Sequence, residues 1–296
     1  MHSQMDLINL EKARFTCRIG VSEEERQNPQ EILVDLKVFF DTKKAAKTDL
    51  LSDTIDWSQI HLLLNDLLEK SEFKLIESAA EKIANCVLTK FPASQVIARV
   101  TKPLALRNKN VESASVEISR FNTDVLIALG SNLGDRQQNL VKAVELIKEK
   151  CRILKTSPIY ETPPMYNEAQ GSFLNAAALV ATPLSASELM EFLLSVEEKM
   201  GRVRTVKNAP RIIDLDLLFY GDLAINDHGL EIPHPLMQER LFVLQPLNDI
   251  SPDYVHPVLK KTVKRLFSEL KDGKGIRFFN TRIESLHKIS GGGLDK

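Results

Sequence analysis

Two aspartates inside an apolar run constrain this chain more than any other feature. The stretch from Pro210 to Tyr220 reads Pro-Arg-Ile-Ile-Asp-Leu-Asp-Leu-Leu-Phe-Tyr, with Asp214 and Asp216 one residue apart. Side chains alternate between the faces of a strand, so both carboxylates project from one face and Ile213, Leu215 and Leu217 take the other. So apolar a run suits a buried strand, and a buried strand carries two charges only where something offsets their desolvation. A hard cation does so: two carboxylates supply oxygen ligands to Mg2+ and leave coordination sites for phosphate oxygens. Lys199, Arg202, Arg204, Lys207 and Arg211 stand at or just before the run. Carboxylates that gather metal, beside cations that gather polyphosphate, point to phosphoryl-type transfer from a nucleotide. The bland reading of Asp-x-Asp alone is a solvated edge or an ion pair.

A chain of 296 residues has room for two domains, each with its own core. With 43% hydrophobic and 27% charged residues it should be globular. A formal net charge of −1 gives no global basic field, so no nucleic-acid partner is expected and anion binding has to come from local clusters. Cys17, Cys86 and Cys151 are scattered, without disulfide or metal spacing, and read as small core residues in a reducing compartment. Residues 1–10 lack the apolar core of a signal peptide, and no apolar run approaches the roughly 20 residues of a membrane helix. A soluble, cytoplasmic protein with no membrane partner is expected.

The first half alternates, then turns helical, then alternates again. Residues 6–19 and 31–40 read as strands, the second with Ile32, Val34, Leu36 and Val38 on one face. Helical spacing follows at 58–70 and 75–90, stopped by Pro92, and strands return at 95–101 and 111–118. The order β-β-α-α-β-β predicts an antiparallel sheet with helices on one face, a sheet large enough to close by oligomerisation. Glu25 lies in an acidic stretch after Gly20, Glu77 opens the second helix, and Lys102 ends a strand. Singly these read as loop charge, a residue favoured by the helix dipole, and a solvated strand end.

Together, Gly20-Val21 with Glu25, Lys43-Ala45-Ala46 with Asp49, Leu75-Ile76-Glu77 and Thr101-Lys102-Pro103 resemble dihydroneopterin aldolase over nearly all of residues 5–120. The resemblance implies the tunnelling fold and a homo-oligomer, tetramer or octamer, with sites between subunits. It also implies cleavage of dihydroneopterin to 6-hydroxymethyl-dihydropterin and glycolaldehyde, with no cofactor. Glu77, beside Ile76, would anchor the pterin by accepting two hydrogen bonds from its aminopyrimidinone edge. Lys102 and Glu25 would take and return protons through a water, without a Schiff base. In the segment ending at Trp57 the family usually has a tyrosine, and indole offers no comparable exchangeable acid. Trp57 then packs on the pterin or on a neighbouring subunit. The change leaves open a pterin-binding oligomerisation module or an epimerase in this half.

Residues 121–123 are the shortest credible hinge, dividing the chain into 1–122 and 123–285, with residues 286–296 a glycine-containing tail. Beyond the hinge a strand runs into Gly130-Ser131-Asn132-Leu133-Gly134-Asp135, read as a strand-to-helix turn with some substrate contact, since it lacks the P-loop lysine. A helix at 138–150, strands at 151–160 and 173–180, a helix at 189–200 and the Asp-x-Asp strand follow. A hairpin at 215–226 and helical segments at 236–240 and 258–270 complete the reading. This β-α-β-β-α-β order predicts a ferredoxin-like α+β sandwich.

Six separated motifs occur in order: Gly130 to Gly134, Thr162-Pro163-Pro164, Phe173 to Ala176, Gly201 to Arg204, Pro210 to Asp216, and Ile232-Pro233-His234. The set resembles 6-hydroxymethyl-7,8-dihydropterin pyrophosphokinase over about 160 residues. That resemblance implies pyrophosphate transfer from ATP to the pterin hydroxymethyl group, giving AMP. Asp214 and Asp216 would hold two Mg2+ ions on the ATP phosphates. Arg202 and Arg204 would lie in a closing loop, Arg211 and Arg240 would grip phosphate oxygens, and His234 would bond the nucleotide phosphates. Phe173 would stack on the pterin with Phe242 opposite, and Asn175 would bond its edge beside Thr162 and Pro163. Both phenylalanines read equally well as core, Arg202 as a surface charge, and Glu197 as a nucleotide contact or a solvated helix residue. The Arg204–Arg211 loop is one residue short and lacks the family's tryptophan. Pro235 follows His234, and Leu194 replaces a common glutamine. In some organisms the pair is fused to dihydropteroate synthase, and no third domain of that kind is expected here.

Overall fold

In the computed structural model the chain divides into two units, Met1–Asn122 and Thr123–Lys296. Residues 6–103, 110–164, 170–202, 209–227, 229–270 and 275–283 are described. Arg204 and the tail from 286 lie outside them.

The first unit contains β1 (Leu7–Ile19), α1 (Glu23–Gln27), β2 (Gln30–Phe39), α2 (Lys43–Thr48), α3 (Trp57–Glu69), β3 (Glu72–Phe73), α4 (Ile76–Lys90), β4 (Gln95–Lys102) and β5 (Ala114–Phe121). The sheet order is β3-β1-β2-β4-β5, antiparallel except for the short β1–β3 pair. Alternation in β2 and β4 puts Ile32, Val34, Leu36, Val38, Val96, Ala98 and Val100 on the buried face. They pack with Ile60, Leu64 and Leu68 of α3 and Ala79, Ile83 and Val87 of α4. Each such branched side chain contributes about 1.5–3 kcal/mol when fully buried. The expected β-β-α-α-β-β order is therefore present. Expectation missed α1, α2 and β3, because two to six residues are too short to show a period.

The second unit contains β6 (Thr123–Ser131), α5 (Arg136–Ile147), β7 (Arg152–Thr156), β8 (Ile159–Thr162), β9 (Phe173–Thr182), α6 (Ala186–Lys199) and β10 (Asp214–Tyr220). The hairpin strands β11 (Ile225–Asp227) and β12 (Leu230–Ile232) follow, then α7 (Leu241–Ile250), α8 (Val263–Glu269) and β13 (Arg277–Asn280). The sheet order is β10-β6-β9-β8-β13, with β7 also on β9. One face packs under α5 and α6 and takes Ile213, Leu215 and Leu217, as the alternation requires. The other packs under α7 and α8 with Leu126, Ala177, Leu218 and Phe219. A register shift between Leu217 and Phe219 turns Leu218 and Phe219 to the same side.

The strand that carries the two aspartates is Asp214–Tyr220. Three local expectations change. The single strand at 151–160 is two, broken around Ser157-Pro158, where proline removes a ladder donor. The helical segment at 236–240 is a 3-10 turn, Met237–Glu239, and α7 follows it despite Pro246. The hairpin is β11–β12, after β10 has ended. Among the described residues no helix is long and apolar enough to cross a membrane.

Candidate active sites

Strand pairing assembles the site of the second unit. Asp214 lies opposite Gly130, and Gly130 opposite Asn175; Asp216 lies opposite Ala128, and Ala128 opposite Ala177. Directly opposed residues share a face, so both carboxylates lie on the face that carries Asn175 and, two residues earlier, Phe173. A Cβ at Gly130 would sit 3.4 Å from Asn175 Oδ1, 3.8 Å from Asp214 Cβ and 3.9 Å from Phe173 Cδ1. Glycine thus leaves a bare floor between the carboxylate and the amide. Asn175 Nδ2 donates to Thr162 Oγ1 at 2.8 Å, and both residues are buried. Pro163, next along, is exposed.

Helix α6 ends in a way that aims Arg202. Gly201 adopts φ 89°, its N–H donates to Glu198 O at 2.8 Å, and Arg202 N–H donates to Glu197 O at 3.0 Å. This two-bond left-handed cap suits glycine and turns the chain back across the helix end. Arg202 Nη1 then donates to Asp214 Oδ1 at 2.6 Å and pairs with Glu197 Oε1. Glu197 is only 3% exposed and also accepts from Leu215 N at 2.8 Å, so it is not the solvated charge that one reading expected. Arg211 donates from Nη1 to Asp214 Oδ2 at 2.8 Å. Its backbone is clamped by the strand-to-helix turn: Arg211 N donates to Asn132 Oδ1 at 2.8 Å, and Asn132 N to Arg211 O at 3.2 Å. Ser131 Oγ donates to Ile212 O at 2.5 Å. Arg211 Nε is buried without a hydrogen-bond partner among the described residues. Its guanidinium lies 5.9 Å from the Phe173 ring centroid.

Asp216 has the unusual electrostatics. Burial, with Asp214 beside it, pushes its carboxyl up to about 6 against the pull of Arg240, Arg202 and Arg211. His234 is held below its ordinary value by burial and then by Arg240, and its Nδ1 accepts from Leu236 N at 3.3 Å. A neutral ring accepting at Nδ1 carries its proton on Nε2. Arg240 lies 5.8 Å from the ring centroid of Phe242, which packs half-buried on the α7 core. Among the described residues no three His, Cys, Asp or Glu side chains converge as a metal cluster. Two carboxylates, one strongly disfavoured as a bare anion, do fit a hard cation that takes most of its oxygen ligands from water and phosphate. The orphaned Nε of Arg211 likewise fits an anion.

In the first unit the sheet brings Lys102 to Glu25. Lys102 is 9% exposed, and its Nζ lies 2.5 Å from Glu25 Oε1 and donates to Ile19 O at 3.3 Å. It is therefore no solvated strand end. Glu25 lies on α1, whose N-cap Ser22 Oγ accepts from Glu25 N at 3.2 Å. Glu25 Oε2 accepts from Val21 N at 3.0 Å. The hydrogen bond from Lys102 is the main cause that holds the Glu25 carboxyl below its usual range. A Cβ on Gly20 would lie 2.4–2.6 Å from Glu25 side-chain atoms, so only glycine lets the two cross. Cys17 nearby stays a thiol, pushed up to about 11 by burial despite Lys102. Trp57 opens α3 half-buried against the core, and Ile76 and Glu77 open α4, Glu77 exposed.

The 7,8-dihydro-6-hydroxymethylpterin-pyrophosphokinase (HPPK) family matches residues 126–252, and the dihydroneopterin aldolase family FolB matches residues 8–119. The 2-amino-4-hydroxy-6-hydroxymethyldihydropteridine pyrophosphokinase of Aquifex aeolicus is 39% identical over 145 residues, which cover 49% of this chain and 91% of that protein. The chain belongs to the HPPK family. It joins this HPPK domain to a segment that matches the dihydroneopterin aldolase family model. The Folic acid synthesis protein FOL1 of Dictyostelium discoideum is 34% identical over 299 residues, covering 92% of this chain and 46% of that protein. Its Pneumocystis carinii counterpart is 38% identical over 273 residues, covering 86% and 37%. The chain thus spans less than half the length of these two relatives. The crystal structure of E. coli dihydroneopterin aldolase in complex with neopterin is 28% identical, covers 39% of this chain and 99% of that one, and has a TM-score of 0.38.

The motifs of the HPPK domain are legible in sequence, but its supports are not. Ser131 and Asn132 read only as turn residues, yet they hold the backbone that carries Arg211. Their partners lie 81 and 79 residues away, so no local signal marks them.

Proposed function

We propose that the second unit transfers pyrophosphate from ATP to the hydroxymethyl oxygen of 6-hydroxymethyl-7,8-dihydropterin, releasing AMP. The juxtaposition of Asp214 with Asn175 and Phe173 across the bare Gly130 floor carries this reading. It sets an acidic, phosphate-side cluster against an amide and an aromatic face suited to a flat, hydrogen-bonding ring. Asn175 orients the pterin edge while Thr162 fixes the amide, and Phe173 offers its ring. Phe242 supplies the opposite wall. Asp214 and Asp216 would hold Mg2+, which supplies charge stabilisation to the transferring group when bound. Arg202 and Arg211, now on Asp214, pass to the phosphates, with Arg204, Arg240 and the Nε2 proton of His234 as further donors. Glu197 keeps Arg202 and the start of β10 in place. The pterin hydroxyl then attacks the β-phosphorus, its O–H proton passing to solvent as the new P–O bond forms and the bond from the β-phosphorus to the oxygen that leaves with AMP breaks.

The first unit we read as the aldolase that makes this pterin from 7,8-dihydroneopterin. The 2.5 Å contact of Lys102 with Glu25 supports a proton relay through water during retro-aldol cleavage. Glu77 and Ile76 would hold the pterin and Trp57 would pack against it or against a second copy. The open outer edge of β5, paired only with β4 among the described strands, supports assembly of copies.

With Mg-ATP and 6-hydroxymethyl-7,8-dihydropterin, AMP should appear in step with product; with dihydroneopterin, glycolaldehyde should appear. Absence of AMP overturns the first assignment, and absence of glycolaldehyde the second. Gly20→Ala should displace Glu25 from Lys102 and lower glycolaldehyde formation by about tenfold or more, leaving AMP formation unchanged. Unaltered glycolaldehyde formation by this variant would count against the relay.

A further inference from the structure

Strand β13 lies beyond the 126–252 segment of the family match and is the outer edge of the second sheet. It pairs Arg277 with Glu161 and Phe278 with Tyr160 on β8. Its side chains fasten in several directions. Arg277 Nη2 pairs with Glu161 Oε2, and Phe278 meets Tyr160 edge-on at 6.3 Å. Asn280 Nδ2 donates to Gln137 Oε1 at 2.9 Å, Arg136 lies 6.0 Å from the Phe279 ring centroid, and Ile283 is fully buried in the α5–α6 core.

Glu161 is where these contacts meet the substrate side. Its Oε1 accepts from Arg136 Nη1 at 2.8 Å and from Ser172 Oγ at 3.2 Å, while Arg136 Nη1 also donates to Ser172 O at 2.8 Å. Thr162 follows Glu161 and Phe173 follows Ser172, and those two residues face each other across β8 and β9. One carboxylate therefore fixes both strand ends that present the pterin-side residues Thr162, Phe173 and Asn175. Arg277, Arg136, Glu161 and Ser172 themselves make no contact with Asp214, Asp216, Arg211 or His234 among the described residues, and the two sides meet at the Phe173 ring, 5.9 Å from the Arg211 guanidinium.

We infer that β13 is a strap for the pterin side of the HPPK site, and that Arg277, acting through Glu161, is a positioning residue for the pterin and not for ATP. The inference rests on the assignment of Thr162, Phe173 and Asn175 to pterin binding. Glu161 is well shielded while Arg277 is mostly exposed, so removing Arg277 loosens the carboxylate without opening a cavity. Arg136 still holds Glu161, which limits the effect.

The test uses the full chain and the fluorescence of 6-hydroxymethylpterin, titrated with Mg2+ and a saturating non-hydrolysable ATP analogue. Arg277→Met should weaken pterin binding about fivefold, the upper range for one partly exposed ion pair. Glu161→Gln, which loosens Arg136, Arg277 and Ser172 together, should weaken it about tenfold or more. Arg277→Lys should stay within about twofold of the parent, because it keeps the charge. The analogue's own affinity should move less than about twofold in all three. Arg277→Met with unchanged pterin affinity overturns the inference, as does equal weakening of both ligands. A parent chain that binds no pterin overturns it together with the assignment it rests on. A parent that binds pterin but makes no AMP overturns only the catalytic reading, and the binding comparison still decides the strap.

Discussion

Asp216→Asn should lower AMP formation about 10³-fold and raise the melting temperature of the second unit in the same protein. The carboxyl is pushed from 3.8 to about 6 by burial and by Asp214. A group whose folded value lies above its unfolded value destabilises the fold when ionised. The penalty is absent below about pH 4, grows between pH 4 and 6, and is complete above. Asparagine keeps the shape and drops the charge, so at pH 7 without Mg2+ it should stabilise by about 3 kcal/mol. That is roughly 6–12 °C for a domain of this size, and the gain should fade as the pH is lowered toward 4. AMP formation should fall by about 10³-fold, the scale for losing one charge-stabilising group in a shielded site. Saturating Mg2+ should narrow the melting difference at pH 7 by stabilising the parent. A variant that melts lower than the parent at pH 7, or keeps its activity, would falsify the role given to Asp216.

Lys102→Gln should lower glycolaldehyde formation by about 10²–10⁴-fold, the usual contribution of a positioned acid or base. Glutamine can still reach Glu25 but carries no transferable proton. Loss of the cation should let the Glu25 carboxyl rise toward its ordinary value, since the Lys102 hydrogen bond is the main cause of its depression. Glu25 is 43% exposed at the side chain, so solvent screens the pair and the melting temperature should move little. The KM for dihydroneopterin should stay near the parent value, because the lysine acts on the proton and not on the pterin edge. AMP formation, measured on the same preparation, is the internal control. Equal losses in both activities would point to misfolding and sink the assignment.

Where the residues repeat, the sequence was enough. Alternation through Ile32 to Val38 and through Ile213 to Leu217 set strand and face, and the 3.6-residue spacing of Ile60, Leu64 and Leu68 set a helix. A period of two also placed Asp214 and Asp216 on one face before any neighbour was known. The family's motifs named the chemistry that such a face performs. Elements without a period escaped: β3 has two residues, and α7 contains Pro246, which reads as a helix break.

Only the tertiary structure decided what holds those residues. Glu197 reads equally as a nucleotide contact or a solvated helix residue, yet the chain buries it where β10 begins and gives it Arg202. Asn132 secures Arg211 from 79 residues away, and Arg277 meets Glu161 from 116. Hydrogen bonds and ion pairs act over about 3 Å of space and leave no trace in sequence spacing, whereas burial of one face repeats with every turn or pleat and does. The sequence alone therefore determined the periodic strands and helices and the paired carboxylates, and not α7 or the sheet edges β3 and β13. The folded chain decided which buried charges are neutralised, and left Asp216 as the one in that pair with no fixed partner among the described residues.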